Sequence, residues 1–185
     1  MGLVTLLSLA LFSGALPSGV AWAGAPSVNV GEPALQFSLP ALNDDTVMEL
    51  VNKPSVALAD FAGVDAAYPR KVTVIYFCSR KSGGDGLAEL ERVAKRFRGK
   101  DAQIVAVLTD AGDVAGLSDW ITGLGLTYPV LRDQHRIVAG RYGLSELPVT
   151  YVLDAAGDVF AVGNPKGADV ETEVTAAIEA LLDGQ

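Results

Sequence analysis

The chain has 185 residues, half of them hydrophobic and 19% charged, which is enough apolar material for one full core and argues against disorder. With 14 Lys and Arg against 22 Asp and Glu, the net charge is -8; nucleic acid, whose phosphates need a basic face, is excluded as a partner. A single cysteine, Cys78, excludes any internal disulfide.

Met1 to Ala23 contains no Asp, Glu, Lys, Arg or His, and it closes on the small-x-small run Ala21-Trp22-Ala23. That pattern reads as a signal peptide over residues 1–23, so the chain is expected to be exported, periplasmic or secreted. The alternative is an uncleaved anchor, since the segment could span a bilayer if tilted, although Pro17, Ser18 and Gly19 interrupt it. A membrane role is expected only in that case. Residues 24–33 form a polar lead-in, and residues 34–185 are expected to be one domain.

Leu35 to Leu39 alternates apolar and polar residues, Asn43-Asp44-Asp45 is turn chemistry, and Thr46 to Leu50 is expected to return as the second strand of a β-hairpin. Lys53 to Arg70 is irregular. Val72 to Phe77 is a continuous β-branched and aromatic run, as expected of a strand buried on both faces. After Ser82-Gly83-Gly84-Asp85, the residues Leu87, Leu90, Val93, Ala94 and Phe97 recur at helical spacing. Gln103 to Leu108 reads as a second buried strand, Val114 to Leu124 as a helix, and Thr127 to Leu131 as a short strand. Val149 to Leu153 and Val159 to Val162 flank Ala156-Gly157-Asp158 as a hairpin, and Val170 to Leu181 carries a C-terminal amphipathic helix. The order gives a parallel crossover in the middle and an antiparallel end. It predicts an α/β fold, a mixed central β-sheet flanked by helices, with an N-terminal β-hairpin extension.

Several segments in this order resemble the thioredoxin-like redoxin family, which takes in TlpA- and ResA-type thiol-disulfide oxidoreductases and their AhpC/TSA relatives. Val30-Gly31-Glu32-Pro33-Ala34-Leu35-Gln36-Phe37 is similar to the family's opening stretch, and Val56 to Gly63 to its VxLxDFxG segment. Thr127 to Asp133 resembles FPVLxD, Tyr142-Gly143-Leu144 resembles YGV, and Leu147 to Asp154 resembles the proline-bearing loop and strand. The resemblance implies a thioredoxin-like fold over residues 34–185.

At the position of the chemistry the chain departs from the family. The family places Trp-Ala-x-Trp-Cys-x-x-Cys after the strand that ends in Phe. In register with Phe77, Cys78 falls at the first tryptophan, Ser82 at the first cysteine and Asp85 at the second. Exchange needs one thiolate to attack a sulfur and a second thiol to resolve the mixed disulfide; Ser and Asp supply neither. Ser82 and Asp85 are instead expected to form a capping box at the helix start, which would make the domain redox-inactive. The competing reading is a one-cysteine oxidoreductase or peroxidase in which Cys78 is the nucleophile. Against it, Cys78 closes a buried strand, where cysteine is usually an apolar filler. Arg80 and Lys81 could lower the thiol's pKa were it exposed.

The resemblance further implies that Pro148 is cis, with Leu147 before it offering backbone groups to an extended peptide; the alternative is that Pro148 only shapes a turn. A protein or peptide partner at the Ser82/Pro148 edge is therefore expected. No cofactor is expected, and no metal, because His135 is the lone histidine and sits in a polar connection. Gly83-Gly84-x-Gly86 before a helix lacks the Lys-Ser/Thr or dinucleotide spacing that would make it a phosphate loop.

Overall fold

The computed structural model describes residues 27–163 and 169–184. The proposed leader, residues 1–23, and the start of the lead-in lie outside the described residues. The elements run β1 (Ser38–Pro40), α1 (Asp44–Val51), β2 (Ser55–Ala57), a 3-10 turn (Leu58–Asp60), β3 (Val72–Cys78) and α2 (Gly84–Arg96). There follow β4 (Ala102–Leu108), α3 (Val114–Gly123), β5 (Val130–Arg132), α4 (Ile137–Arg141), β6 (Val149–Leu153), β7 (Val159–Val162) and α5 (Val170–Asp183).

Five strands form one mixed sheet in the order β5-β4-β3-β6-β7, parallel from β5 to β3 and antiparallel from β3 to β7. This is the thioredoxin-like arrangement that the sequence predicts. The central strand β3 is buried along its whole length. Strand pleating divides its side chains between two cores. Val72, Val74, Tyr76 and Cys78 pack under α2, α3 and α5, whereas Ile75 and Phe77 pack with α1, α4 and the β1–β2 pair. Two ion pairs, Arg92–Glu171 and Arg96–Glu179 (both 2.6 Å), tie α2 to α5 on the solvent side.

The N-terminal extension differs from the expected hairpin. β1 does belong to a two-stranded antiparallel unit, but its partner is Ser55–Ala57, and Thr46 to Leu50 lies in helix α1. Helical spacing buries Val47 and Val51 on one face, Asp44 and Asp45 oppose the N-terminal dipole, and Asn52 closes the helix at φ 53. Short β-branched runs are ambiguous in sequence, and the apolar core beside β5 selects the helix.

Both sheet edges are covered. Leu42 N–H donates to Val130 O at 2.7 Å beside β5, and Gly31 N–H donates to Val159 O at 2.8 Å beside β7. Residues 27–33 are thus tied to the domain, with Val28 2% exposed in its core. β5 starts later than the sequence suggests, because side chains hold the residues before it. Glu91 accepts from Thr127 N–H at 2.8 Å, and Asn43 Nδ2 donates to Tyr128 O at 2.8 Å.

Helix α4 has no counterpart in the sequence reading. It forms because buried Asp133 accepts from the backbone N–H groups of Ile137 and Ala139, both at 2.8 Å.

Candidate functional site

β3 and β4 both end at one rim of the sheet, where open α/β folds collect their ligand-binding loops. Cys78 is the last residue of β3, 0% exposed, with its side chain on the helix-covered face. Burial pushes the thiol well above its ordinary pKa, and the Asp110 carboxylate pushes it further in the same direction. Both effects favour the enclosed thiol over the thiolate, the form that attacks sulfur.

Past Cys78 the chain makes a tight turn. Ser79 N–H donates to Ser82 O at 2.9 Å, and Ser82 N–H donates back to Ser79 Oγ at 3.0 Å. Gly83 is the helix N-cap residue, at φ 91, a left-handed conformation that a side chain would strain. Its carbonyl accepts from Tyr76 Oη at 2.9 Å. Space demands glycine there as well, since a Cβ would lie 2.5 Å from Tyr76 Oη and 2.6 Å from Pro148 Cβ. Tyr76 is thus a wedge under the start of α2, and Pro148 seals the other side.

The expected capping box does not form. No side chain caps α2: Ser82 lies one residue before the N-cap, with its N–H turned back to Ser79, and Asp85 is exposed in the first turn. The αL glycine moves the helix start one residue past the point from which Ser82 could cap it.

Ser82, Leu147 and Pro148 do come together, beside a cleft of about 480 Å³. Its walls are Ser79 and Ser82 from the turn, Thr109 and Asp110 from the end of β4, Arg136 from the start of α4, and Leu147. The Leu147–Pro148 peptide bond is cis. Among the described residues neither the N–H nor the C=O of Leu147 has a hydrogen-bond partner, so this backbone is open to a further strand. Neither Cys78 nor Asp85 lines the cleft.

Asp110, Thr109 and Arg136 escaped the sequence reading. Asp110 Oδ2 accepts from Arg80 N–H at 2.8 Å, while the Arg80 guanidinium lies 4.7 Å from the Trp120 ring centroid. The signal for Thr109 and Asp110 was a polar pair directly after a buried strand. Nothing local marked Arg136, which adopts φ 52 at the start of α4 and donates to Leu144 O at 3.0 Å. His135 is exposed away from this cleft, in a groove shared with Phe37 and Ile137. Among the described residues no group of three or more metal-ligating side chains assembles.

Comparison with known proteins matches residues 30–162 to the family model described as AhpC/TSA family. Among curated proteins, the chain is 30% identical over 64 residues to the thiol-disulfide oxidoreductase ResA of Bacillus thuringiensis. That match covers 35% of this chain and only 36% of the relative's length. Among solved structures, a Chlorobium tepidum protein assigned as the thiol:disulfide interchange protein DsbE superposes with a TM-score of 0.68 at 20% identity. It covers 84% of this chain and 99% of its own. Peroxidoxin BcpB of Mycobacterium tuberculosis gives a TM-score of 0.64 at 19% identity, covering 85% of this chain and 99% of its own. At these identities the two structures speak for the fold alone.

Proposed function

We propose, from the premise that this chain belongs to the AhpC/TSA family, that it is an exported redoxin without redox activity that binds an extended polypeptide beside Leu147 and Pro148. The observation that carries this reading is the position of the sulfur. The one thiol is walled in beneath α2, whereas the helix entrance carries Ser82-Gly83-Gly84-Asp85. A disulfide substrate at the entrance would meet hydroxyl and carboxylate oxygen, and neither can form or resolve a mixed disulfide. Polypeptide binding needs no sulfur. It is supported by the unpaired Leu147 backbone and by the adjacent cleft, which Thr109 and Asp110 from the end of β4 also line. Export is supported by the uncharged, apolar run from Met1 to Ala23 and its Ala21-Trp22-Ala23 close.

The decisive experiment measures reduction of a protein disulfide and removal of peroxide by purified full-length protein and by Cys78→Ser, alongside labelling of the native thiol. The expected result is no turnover by either protein, with Cys78 reacting only after unfolding. Turnover that disappears in Cys78→Ser would replace this reading with that of a one-cysteine enzyme.

A further inference from the structure

The charge on the cleft narrows what occupies it. Resting on the polypeptide-binding reading above, we propose that the segment pairing with Leu147 presents a lysine or arginine side chain, which the Asp110 carboxylate receives.

Asp110 follows Leu108 and Thr109 at the end of β4 and lines the same cleft as Leu147. One of its oxygens is occupied, since Oδ2 accepts the Arg80 N–H at 2.8 Å, and this bond holds the carboxylate in place. Its other oxygen has no partner among the described residues. The neighbouring guanidinium groups make their contacts elsewhere, Arg132 Nη2 donating to Gly112 O at 2.6 Å. The Arg80 guanidinium is stacked over Trp120, and Arg136 Nη2 donates to Leu144 O. Neither makes an ion pair with Asp110 among the described residues.

An acidic side chain entering here would meet the Asp110 carboxylate and a protein of net charge -8. A lysine or arginine would instead complete a charge-assisted hydrogen bond to an acceptor that is already fixed in place. The same carboxylate helps to hold the nearby Cys78 as a thiol, so its field extends to the end of β3 and disfavours negative charge there. The partner class is therefore an extended basic segment, recognised by strand addition for its backbone and by Asp110 for its charge.

The test passes a pool of short random peptides over immobilised full-length protein at low salt and sequences the bound fraction. Wild-type protein is expected to enrich Lys and Arg at one position by roughly five- to tenfold. In Asp110→Asn, which keeps an acceptor for the Arg80 N–H, peptides are still retained but that enrichment disappears. A thermal melt of Asp110→Asn establishes that it is folded. Retention of peptides without basic enrichment, or with enrichment unchanged in Asp110→Asn, overturns this inference and leaves the peptide site standing. Retention of no peptide by wild-type protein overturns the peptide-binding reading and the inference with it.

Discussion

Gly86→Ala tests the wedge that shapes the loop at the helix entrance. On an exposed helix the change would gain about 1 kcal/mol in propensity. Here the added Cβ would overlap Tyr76 Oη and lie 2.8 Å from its Cζ, inside a core where that ring is 1% exposed. To make room the ring must shift, breaking its hydrogen bond to Gly83 O, worth about 1 kcal/mol, and straining the core by about 2 kcal/mol. The balance is a net loss of about 2 kcal/mol, or roughly 4–8 °C in melting temperature for a domain of this size. In a Tyr76→Phe background the worst overlap is gone while the 2.8 Å approach to Cζ remains, so Gly86→Ala should cost about 1–2 kcal/mol less than in wild type. Urea denaturation of the four proteins, followed by tryptophan fluorescence, gives the cycle, with an expected coupling of about 1–2 kcal/mol. Additive effects, or a Gly86→Ala protein as stable as wild type, would refute the close contact and with it this account of the loop.

Three further outcomes follow from the same geometry. Asp133→Ala leaves the Ile137 and Ala139 N–H groups without their buried acceptor and should cost about 2 kcal/mol in urea titrations, with early hydrogen exchange across α4. Asn43→Ala removes both the bond to Tyr128 O and the one accepted from Val130 N–H at 2.9 Å. It should cost about 2 kcal/mol by the same assay and loosen α1 from β5 rather than alter the cleft. At the start of α5, hydrogen bonds from the Thr172 hydroxyl and then its N–H hold the Asp169 pKa below the ordinary carboxylate value. A group depressed in the folded state contributes stability above its unfolded pKa and loses it as the pH falls through the folded value. The Thr172 amide resonance should therefore stay constant from neutral pH into the ordinary carboxylate range and move only on the acid side of it; movement near neutrality would contradict the cap.

Much of the architecture was legible before any coordinates. The runs Val72–Phe77 and Gln103–Leu108 are apolar apart from Thr73 and Gln103, with no polar alternation, a pattern that fits a strand covered on both faces. The helices of residues 84–96 and 170–183 show their apolar stripe at helical spacing, and the hairpin at Gly157 is marked by its turn residues. Thr46 to Leu50 was misread because a short segment with β-branched residues fits either period, and the decision lies with the core that receives Val47 and Val51 of the helix Asp44–Val51. α4 was missed because five residues carry too little periodicity, and Asp133, whose carboxylate accepts from its first-turn N–H groups, reads in sequence as loop chemistry.

At the site, the sequence alone determined that there is one thiol and that oxygen-bearing side chains stand where a cysteine pair would be, because counting and register need no coordinates. Only the tertiary structure decided what surrounds them. It faces Cys78 toward the helices, sets Pro148 against Gly83, and carries Asp110 from the end of β4 to the cleft beside Leu147. The physical reason is that burial and electrostatic fields depend on distances between chain segments far apart in sequence, and packing, which no local pattern encodes, sets those distances.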